Sequence, residues 1–384
     1  MRRLPTIILL LAALAMLAGC SISSVAEQRE AFAKRHRGPI SVGVAWPVSS
    51  ANDWFLEGVA LAVSELNAGG GVLGRQLNVI IKDDESSVTK GLEIAQSFAE
   101  DLKVAAVIGH RNSYVSIPVS SIYERAGILM LSPASSAPEF ISEKQKLVFR
   151  NIASDERVAM AVADHAARNG HRRMVILYDD DAYGKGLADA FEKHAGRSGI
   201  DIVDRLTFYT GPSELERLKF KWEILEYDGI FIAKSGTAGA QLIAELRAAG
   251  IEAPLFGGNA LDTPNLWTVA GTKAAEGLVI GAFFNPESRR EKVRSFIDTF
   301  SKAHGVMPTQ YSAQGYDAVH LLAEAMNRAR STVPRDIAAA LHTIENWEGV
   351  AGFHTFDWNG EDVGDLVVLK KVTGGGFEYL HAGA

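Results

Sequence analysis

Cysteine is almost absent from this sequence, since Cys20 is the only one among 384 residues. A chain with a single cysteine forms no internal disulfide, so its fold must be held by the burial of apolar surface. Without its first 19 residues the chain still has 365, which is enough for about two domains.

The first twenty residues have the layout of a secretory signal. Arg2 and Arg3 precede an apolar run over residues 4–17, which is too short to span a bilayer comfortably. Residues 17–20, LAGC, resemble a bacterial lipobox, in which the cysteine is lipidated and becomes the mature N-terminus. We therefore expect a lipoprotein signal peptide over 1–19 and a lipid on Cys20 that anchors the protein to an envelope membrane. An ordinary signal peptide with an incidental cysteine is the alternative.

The polar segment that follows, residues 20–38, is interpreted as a tether between the lipid and the folded body. It ends in a basic cluster, KRHRG. Contact of this cluster with anionic headgroups is one interpretation, and a solvated linker is the favoured one. The expected location is extracytoplasmic, in the periplasm if the host is Gram-negative.

Positive charge and long apolar runs are also in short supply. The sequence has 39 lysines and arginines against 46 acids, and aromatic residues make up 8% of it. Nucleic-acid binding needs clustered cations, so this composition argues against a nucleic-acid partner. No later stretch approaches 18 uninterrupted apolar residues, and a soluble body behind the anchor is expected.

Motifs of catalysis and cofactor binding are missing as well. The sequence has no H-E-x-x-H and no G-x-S-x-G, and its ten histidines lack ligand spacing. The glycines of NAGGGVLGR fit G-x-G-x-x-G, but this loop follows a helix and precedes a strand, the reverse of a phosphate cradle. Runs of acids at 83–85 and 179–181 lack the alternating spacing of a calcium loop, and capping of the next helix explains them better. We predict no cofactor, no metal and no enzyme. A triad of distant residues, with Ser113 or Ser136 as the nucleophile of a hydrolase, stays as the least supported alternative.

From residue 40 onward, short apolar runs alternate with amphipathic helical patterns. The predicted strands form two sets, 40–46, 77–84, 104–109 and 127–133, then 174–180, 201–208, 229–234 and 253–258. Strands of this kind predict parallel sheets covered by helices on both faces, and two sets predict two Rossmann-like lobes. Further helices are predicted over VRSFIDTFSKA, from Tyr311 to Ala329, and from Pro334 onward. A hairpin with its turn at Asn359-Gly360 follows, so the chain must cross between the lobes more than once. The fold class is α/β, with the lobes joined by a hinge of several crossovers.

Two strand ends of the first set carry serines beside predicted helix starts. In LMLSPASSAPE (129–139), Ser136 and Glu139 have the spacing of a capping box. The neighbouring strand ends in GHRNS, which places Ser113 at the start of another helix. Ligands of open parallel sheets bind outside the carboxyl ends of the strands, and helix N-termini attract anions. The serines therefore predict a site for a carboxylate, with a mere helix cap as the alternative for Ser136.

Four segments together resemble type I periplasmic binding proteins of the branched-chain amino-acid and amide family. They are residues 65–86, 105–140, 176–191 and 257–281, and the likeness runs in order over 40–370. The resemblance implies two lobes with three crossovers, a small ligand closed between them and an ABC permease as partner. It assigns 39–152 plus 282–347 to the N-terminal lobe and 153–281 plus 348–384 to the C-terminal lobe. A monomer is expected.

The resemblance also implies roles for particular residues. Ser113 and Ser136 would hold a ligand carboxylate, the Ala134 carbonyl would accept a hydrogen bond, and Tyr183 would cover the ligand. Further candidates for the pocket are Ser135, Trp46 and Trp54. Two positions depart from the pattern of the amino-acid binders, because Asn259 replaces an acid for the ligand ammonium and Ser235 replaces an aromatic wall.

The departure at Asn259 affects the expected ligand. Asp262 lies three residues further on and is the candidate substitute for the missing acid. A buried ammonium without an acid is costly, so we expect a preference for acids or amides that lack the α-ammonium. The expected function is a lipid-anchored receptor that delivers a small carboxylate, amino acid or amide to an ABC importer. A ligand-sensing lipoprotein of the same fold, which signals without transport, is the alternative.

Overall fold

Two sheets, each with helices on both faces, organise the chain. The structure is a computed structural model, and it describes residues 23–48, 53–207 and 211–380. Cys20 and the signal peptide lie outside these residues. Within the described ranges, no helix combines the length and the apolar character needed to cross a bilayer.

The first lobe is built on a five-stranded parallel sheet with the order β2-β1-β3-β4-β5. Its strands are β1 (Ile40–Trp46), β2 (Leu77–Asp83), β3 (Val104–Gly109), β4 (Leu129–Ser132) and β5 (Val148–Arg150). Its helices are α1 (Val25–Arg35), α2 (Phe55–Ala68), α3 (Val88–Glu100) and α4 (Ser113–Ala126). All seven residues of β1 are buried, as expected for a central parallel strand.

The second lobe carries a seven-stranded sheet with the order β14-β13-β10-β9-β8-β6-β7. Its strands are β6 (Arg173–Tyr178), β7 (Asp201–Leu206), β8 (Gly229–Ala233), β9 (Leu255–Gly257), β10 (Val279–Ala282), β13 (Val368–Thr373) and β14 (Gly376–Leu380). The helices that belong to it are α5 (Asp155–Arg168), α6 (Ala182–Arg197), α7 (Pro212–Ile224), α8 (Gly236–Ala248) and α9 (Thr272–Ala275). Strands β6 to β10 are parallel, whereas β13 pairs antiparallel with β10 and β14.

After β10 the chain returns to the first lobe. It adds α10 (Glu291–His304), α11 (Gln310–Ala329), α12 (Pro334–Leu341) and a small ladder of β11 (Trp347–Glu348) with β12 (Phe353–His354). Helix α11 packs closely on α2, because a Cβ on Gly58 would lie 2.0 Å from the Ser312 carbonyl oxygen. The chain thus passes between the lobes after β5, after β10 and before β13, and the predicted α/β fold with two lobes and several crossovers is confirmed.

The last crossover lies later in the chain than predicted. Val350, Ala351 and Phe356 pack in the core of the first lobe, whereas Leu366 packs in the core of the second. The predicted boundary at 347/348 is therefore too early, since the chain leaves the first lobe only after Phe356. The predicted hairpin around Asn359-Gly360 is reduced to one bridge between Phe356 and Asp362, and the paired hairpin is β13 with β14.

The predicted solvated tether is wrong for its described part. Residues 25–35 form α1, which begins with a capping box in which Ser24 and Glu27 bind each other's backbone N–H groups. Arg29 of this helix is fully buried against the first lobe. A basic, polar composition predicts solvent exposure. The helix is docked because the guanidinium of Arg29 donates hydrogen bonds to several backbone carbonyl oxygens of the first lobe, and composition alone does not reveal such contacts.

Candidate functional site

A cavity lies between the lobes at the carboxyl edges of both sheets. The first lobe contributes Arg111, Asn112, Ser113, Tyr114, Ala134 and Tyr311, and the second contributes Asp181, Tyr183, Ser235, Gly236, Asn259 and Ala260. A second cavity of about 320 Å³ shares Arg111, Ser235 and their neighbours with the first. A cavity of this second size accommodates a small organic molecule.

Ser113 and Ala134 lie on the first-lobe wall of this cavity, where the sequence placed them. Ser113 is the first residue of α4, and its hydroxyl accepts a hydrogen bond from the Ala137 amide at 3.3 Å. The start of α4 thus brings a hydroxyl and the positive end of a helix to the cavity. Their part in binding stays a prediction.

Ser135 and Ser136 differ from the sequence expectation. The Ser135 hydroxyl lies 2.6 Å from the Ser116 hydroxyl and donates to the His110 carbonyl at 3.2 Å, so it is used inside the first lobe. Ser136 caps no helix, because only a three-residue 3₁₀ turn follows, with Ala137 as its N-cap. The predicted capping box is therefore wrong. Instead, the Ser136 hydroxyl is buried without a hydrogen-bond partner in the described structure.

The two tryptophans do not form the expected cavity wall. Trp46 is buried in the first-lobe core, where it stacks on Phe55 at 3.6 Å and its indole N–H reaches Asp53 at 3.2 Å. Trp54 packs against the same core and lies 6.1 Å from the ring of His304. The expectation of a flat apolar wall is corrected, because both rings are used in packing. Residues 49–52 of this loop are outside the described ranges.

Tyr183, Ser235 and Asn259 form much of the second-lobe wall. The Tyr183 hydroxyl accepts from the Ala260 amide at 3.3 Å and donates to Asn259 Oδ1 at 3.5 Å. Burial raises the pKa of Tyr183 well above its usual value, so it acts as a neutral hydroxyl. Ser235 donates its hydroxyl to Asp179 at 3.4 Å.

Asp262 does not replace the acid that is missing at Asn259. Its carboxylate lies 2.6 Å from the ammonium nitrogen of Lys370, and both side chains are nearly fully buried. Lys370 comes from β13, more than one hundred residues away, so local sequence patterns do not indicate this pair. Removing a carboxylate from such a buried pair is unfavourable, and Asp262 is not available for a ligand.

Sequence reasoning missed a cation on the wall of the cavity. Arg111 stands 4.8 Å above the ring of Tyr311, and its Nε lies 3.2 Å from Asp53 Oδ2. Burial alone would lower the pKa of Arg111, but Tyr311 and Asp53 outweigh it and raise the pKa, so the guanidinium stays charged. Its place in GHRNS, directly before Asn112 and Ser113, was the available signal. The strand end was identified, but the arginine was not singled out.

Asp155 was also missed. It is the first residue of α5, it is fully buried, and its amide donates to the Ser136 carbonyl at 2.9 Å. Neither oxygen of its carboxylate has a partner at normal hydrogen-bond geometry in the described structure, and the hydroxyl of Ser136 is a neighbouring side-chain donor. Burial raises the pKa of Asp155 to about 7, although Ser136 and Arg150 act in the opposite direction. The sequence context, an acid at a helix start, predicts an ordinary exposed cap.

The two lobes are also in direct contact beside the cavity. Gln310 at the start of α11 donates to the Asn259 carbonyl at 2.7 Å and to the Asp262 carbonyl at 3.1 Å. At the first crossover, the Asn151 amide group donates to the Gln314 carbonyl at 3.2 Å, which fixes the end of β5 to α11 within the first lobe. The cavity is thus bounded by both lobes in a closed arrangement. Among the described residues, no group of three or more histidine, cysteine or acidic side chains is suited to hold a metal ion.

Comparison with known proteins gives relatives along nearly the whole chain. The Leu/Ile/Val-binding protein homolog 2 of Brucella abortus is 30% identical over 332 residues, which cover 84% of this chain and 87% of the relative. An ABC transporter substrate-binding protein from Desulfitobacterium hafniense, whose structure is a complex with Leu, is 49% identical with a TM-score of 0.83. That likeness covers 89% of this chain and all of the other.

A leucine-binding protein of Thermotoga maritima, LivK, is 25% identical with a TM-score of 0.81, over 89% of this chain and 98% of the other. These relatives are binding proteins rather than enzymes, in agreement with the expectation from sequence. The periplasmic binding protein family itself matches residues 39–375. Together with the two-lobed fold and the cavity between the lobes, this match shows that the chain belongs to the periplasmic binding protein family.

Proposed function

We propose that this protein is an extracytoplasmic receptor that binds a branched-chain amino acid, with leucine as the first candidate, and delivers it to an ABC importer. The observation that carries the proposal is the cavity between the lobes, which is lined by residues that follow the strand ends of both sheets. The relative from Desulfitobacterium hafniense, 49% identical, has the same fold and is a complex with Leu. This replaces the expectation of a ligand without an α-ammonium.

The first lobe supplies the groups that would receive the carboxylate of an amino acid. Ser113 offers a hydroxyl at a helix start, and Arg111 places a charged guanidinium on the same wall. Hydrogen bonds to a charged group stabilise by about 1.5–3 kcal/mol each. Tyr183 and the backbone around Asn259 close the other side, so a ligand touches both walls only when the lobes are closed.

Titration calorimetry on protein freed of bound ligand tests this proposal. We expect leucine, isoleucine and valine to bind, and Ser113→Ala to weaken leucine binding roughly 10- to 150-fold. Ser120→Ala is the matched control on the same helix, because its hydroxyl donates to the Ile117 carbonyl at 2.8 Å and does not line the cavity. Affinity for 4-methylpentanoate or 2-oxo-4-methylpentanoate without affinity for leucine would contradict the proposal and restore the earlier expectation.

Anchoring and transport are the finer parts of the proposal. We propose that Cys20 carries the lipid, on the strength of the LAGC sequence around it. Labelled fatty acid should enter the wild type and not Cys20→Ser, and labelling of both or of neither would refute the anchor. Loss of leucine uptake in cells that lack the protein supports an importer. Intact uptake with a lost response to leucine would support the sensing alternative.

A further inference from the structure

An amino acid brings an α-ammonium into the cavity as well as a carboxylate. When the lobes close, this ammonium loses its water, and a buried charge without a partner is costly. A carboxylate of the protein is the natural partner. Four aspartates lie in or near the cavities in the described structure. Asp181 lines the first cavity and Asp53 lines the second. Asp155 and Asp262 are buried close to the first cavity, since their charges raise the pKa of its tyrosines Tyr183 and Tyr311.

Three of these aspartates already have partners. Asp53 accepts from the indole of Trp46 and from the Phe55 amide at 3.2 Å, and it faces Arg111. Asp181 caps α6 by accepting from the Gly184 amide at 2.8 Å. Asp262 is paired with Lys370 at 2.6 Å. A ligand ammonium would have to compete with each of these contacts.

Asp155 is different, because it is fully buried and both of its carboxylate oxygens are without a hydrogen bond. The hydroxyl of Ser136 is also buried without a partner at normal hydrogen-bond geometry. The backbone amide of Asp155 donates a hydrogen bond of 2.9 Å to the carbonyl oxygen of Ser136, so the two residues are neighbours in space. Ser136 is two residues from Ala134 on the cavity wall. The hydroxyl of Ser136 is a neutral donor beside Asp155, and it brings no charge to the buried carboxylate. A buried carboxylate in this state, in a fold that satisfies most of its buried polar groups, indicates a cationic donor that enters with the ligand.

We infer that Asp155 receives the α-ammonium of the bound amino acid, with the hydroxyl of Ser136 beside it. The inference rests on the proposed function and names the acid that Asn259 does not supply. The same position explains why the acid at 259 is dispensable in this chain. The carboxylate comes instead from the start of α5, the first helix after the first crossover.

The unpaired state of Asp155 makes binding dependent on pH. Its surroundings are mixed, since Arg150 favours the charged form whereas Glu139 and Asp181 oppose it, and Tyr183 stands nearby as a neutral hydroxyl. The guanidinium of Arg150 is itself held by Glu361 and by the Ala137 carbonyl at 2.9 Å. Without ligand, burial raises the pKa of Asp155 to about 7. An ammonium in contact lowers this pKa, so leucine expels a proton below pH 7.

The test is calorimetry with leucine and 4-methylpentanoate on the wild type, Asp155→Asn and Asp262→Asn, between pH 5.5 and 7.5. Leucine should bind the wild type roughly 10- to 30-fold more tightly at pH 7.5 than at pH 5.5, as follows from proton linkage to a group of pKa about 7. In Asp155→Asn we expect leucine to bind 10- to 100-fold more weakly, without dependence on pH. This variant should bind 4-methylpentanoate at least as tightly as the wild type does. Asp262→Asn should keep the pH dependence of the wild type.

A folded Asp155→Asn that keeps the affinity for leucine and its pH dependence would overturn the inference. The wild type alone gives a second measurement, because calorimetry at pH 6.5 in two buffers of different ionisation enthalpy counts released protons. Leucine should release between half and one proton, and 4-methylpentanoate none. Leucine binding without proton release also overturns the role of Asp155. A wild type that does not bind leucine at all would instead refute the proposed function.

Discussion

Arg29 holds α1 against the first lobe, and its removal gives a stability prediction that can be worked out from the structure. Its guanidinium donates to the carbonyls of Ala126 at 3.0 Å, Asp101 at 2.6 Å, Val104 at 2.7 Å and Ala99 at 2.7 Å. The carbonyls of Ala99, Asp101 and Ala126 lie at the carboxyl ends of α3 and α4, where helices leave such groups without partners, and Val104 is the first residue of β3. The cation also meets the negative ends of two helix dipoles. Burial lowers the pKa of Arg29 to about 10, which leaves it charged at neutral pH.

Arg29→Ala should therefore cost about 3 kcal/mol in the free energy of unfolding of the first lobe. Breaking a buried charged network costs about 3–5 kcal/mol, and the lower end applies because α1 can detach and let water reach the carbonyls. For a lobe of this size, such a loss corresponds to a fall in Tm of roughly 6–12 °C.

Differential scanning calorimetry and limited trypsin digestion measure the effect. Arg35→Ala is the matched control, because Arg35 belongs to the same helix but is exposed. We expect cleavage after Lys34 in Arg29→Ala much earlier than in the control. If the two variants melt within about 1 °C of each other and α1 stays equally protected, then Arg29 does not dock the helix.

Three further predictions follow from buried polar groups. Burial alone would lower the pKa of His354, but Asp362 and Asp317 outweigh it and raise the pKa to about 9. The charged His354, together with Asp362 and Asp317, therefore stabilises the fold fully below about pH 6.5. This contribution, about 3 kcal/mol in all, is lost as the pH rises through 9. Thermal melting between pH 6 and 10 should show the decline in the wild type and not in His354→Asn. Without ligand, the raised pKa of Asp155 means that the folded protein loses stability as the pH rises from about 4 to 7. Asp155→Asn should therefore be more stable than the wild type at pH 8, by up to about 4 kcal/mol in the free energy of unfolding measured with urea. Equal stability of the two proteins would contradict a carboxylate that is buried without a partner. Gln310→Ala removes two hydrogen bonds between the lobes. We expect the affinity for leucine to fall several-fold and small-angle scattering to show a larger radius of gyration without ligand. An unchanged radius and affinity would show that Gln310 does not hold the lobes together.

Local sequence patterns predicted most strands and helices of the fold but missed two short strands. Strands β1 and β3 begin and end where their apolar runs do, because a fully buried parallel strand needs an unbroken apolar segment. Strands β5 and β10 were not predicted, since three or four apolar residues carry no period that separates them from a loop. Their place is decided by pairing with β4 and β9.

The candidate site shows the same division. The order of strands and helices placed Ser113, Ala134, Tyr183 and Asn259 at sheet edges, and the structure places all four on one cavity. The motif around Ser136 and Glu139 satisfied the local rule for a helix cap, but the chain forms only a three-residue turn there and returns to the sheet as β5 before it crosses to the second lobe. Local spacing did not reveal this, because the crossover is fixed by packing between lobes.

The sequence by itself determined most strands and helices of the two lobes and the sheet edges at which a ligand is expected, because these follow from apolar periodicity and from the handed, parallel βα connection. Only the tertiary structure decided which side chains are free to meet a ligand. The carboxylate of Asp262 is paired with Lys370, which is distant in the chain, and Trp46 is packed in the core of the first lobe. In the described structure the carboxylate of Asp155 and the hydroxyl of Ser136 have no partner at normal hydrogen-bond geometry. The physical reason is that the charge and hydrogen bonding of a buried group depend on neighbours in space. Those neighbours come from segments that the fold alone brings together.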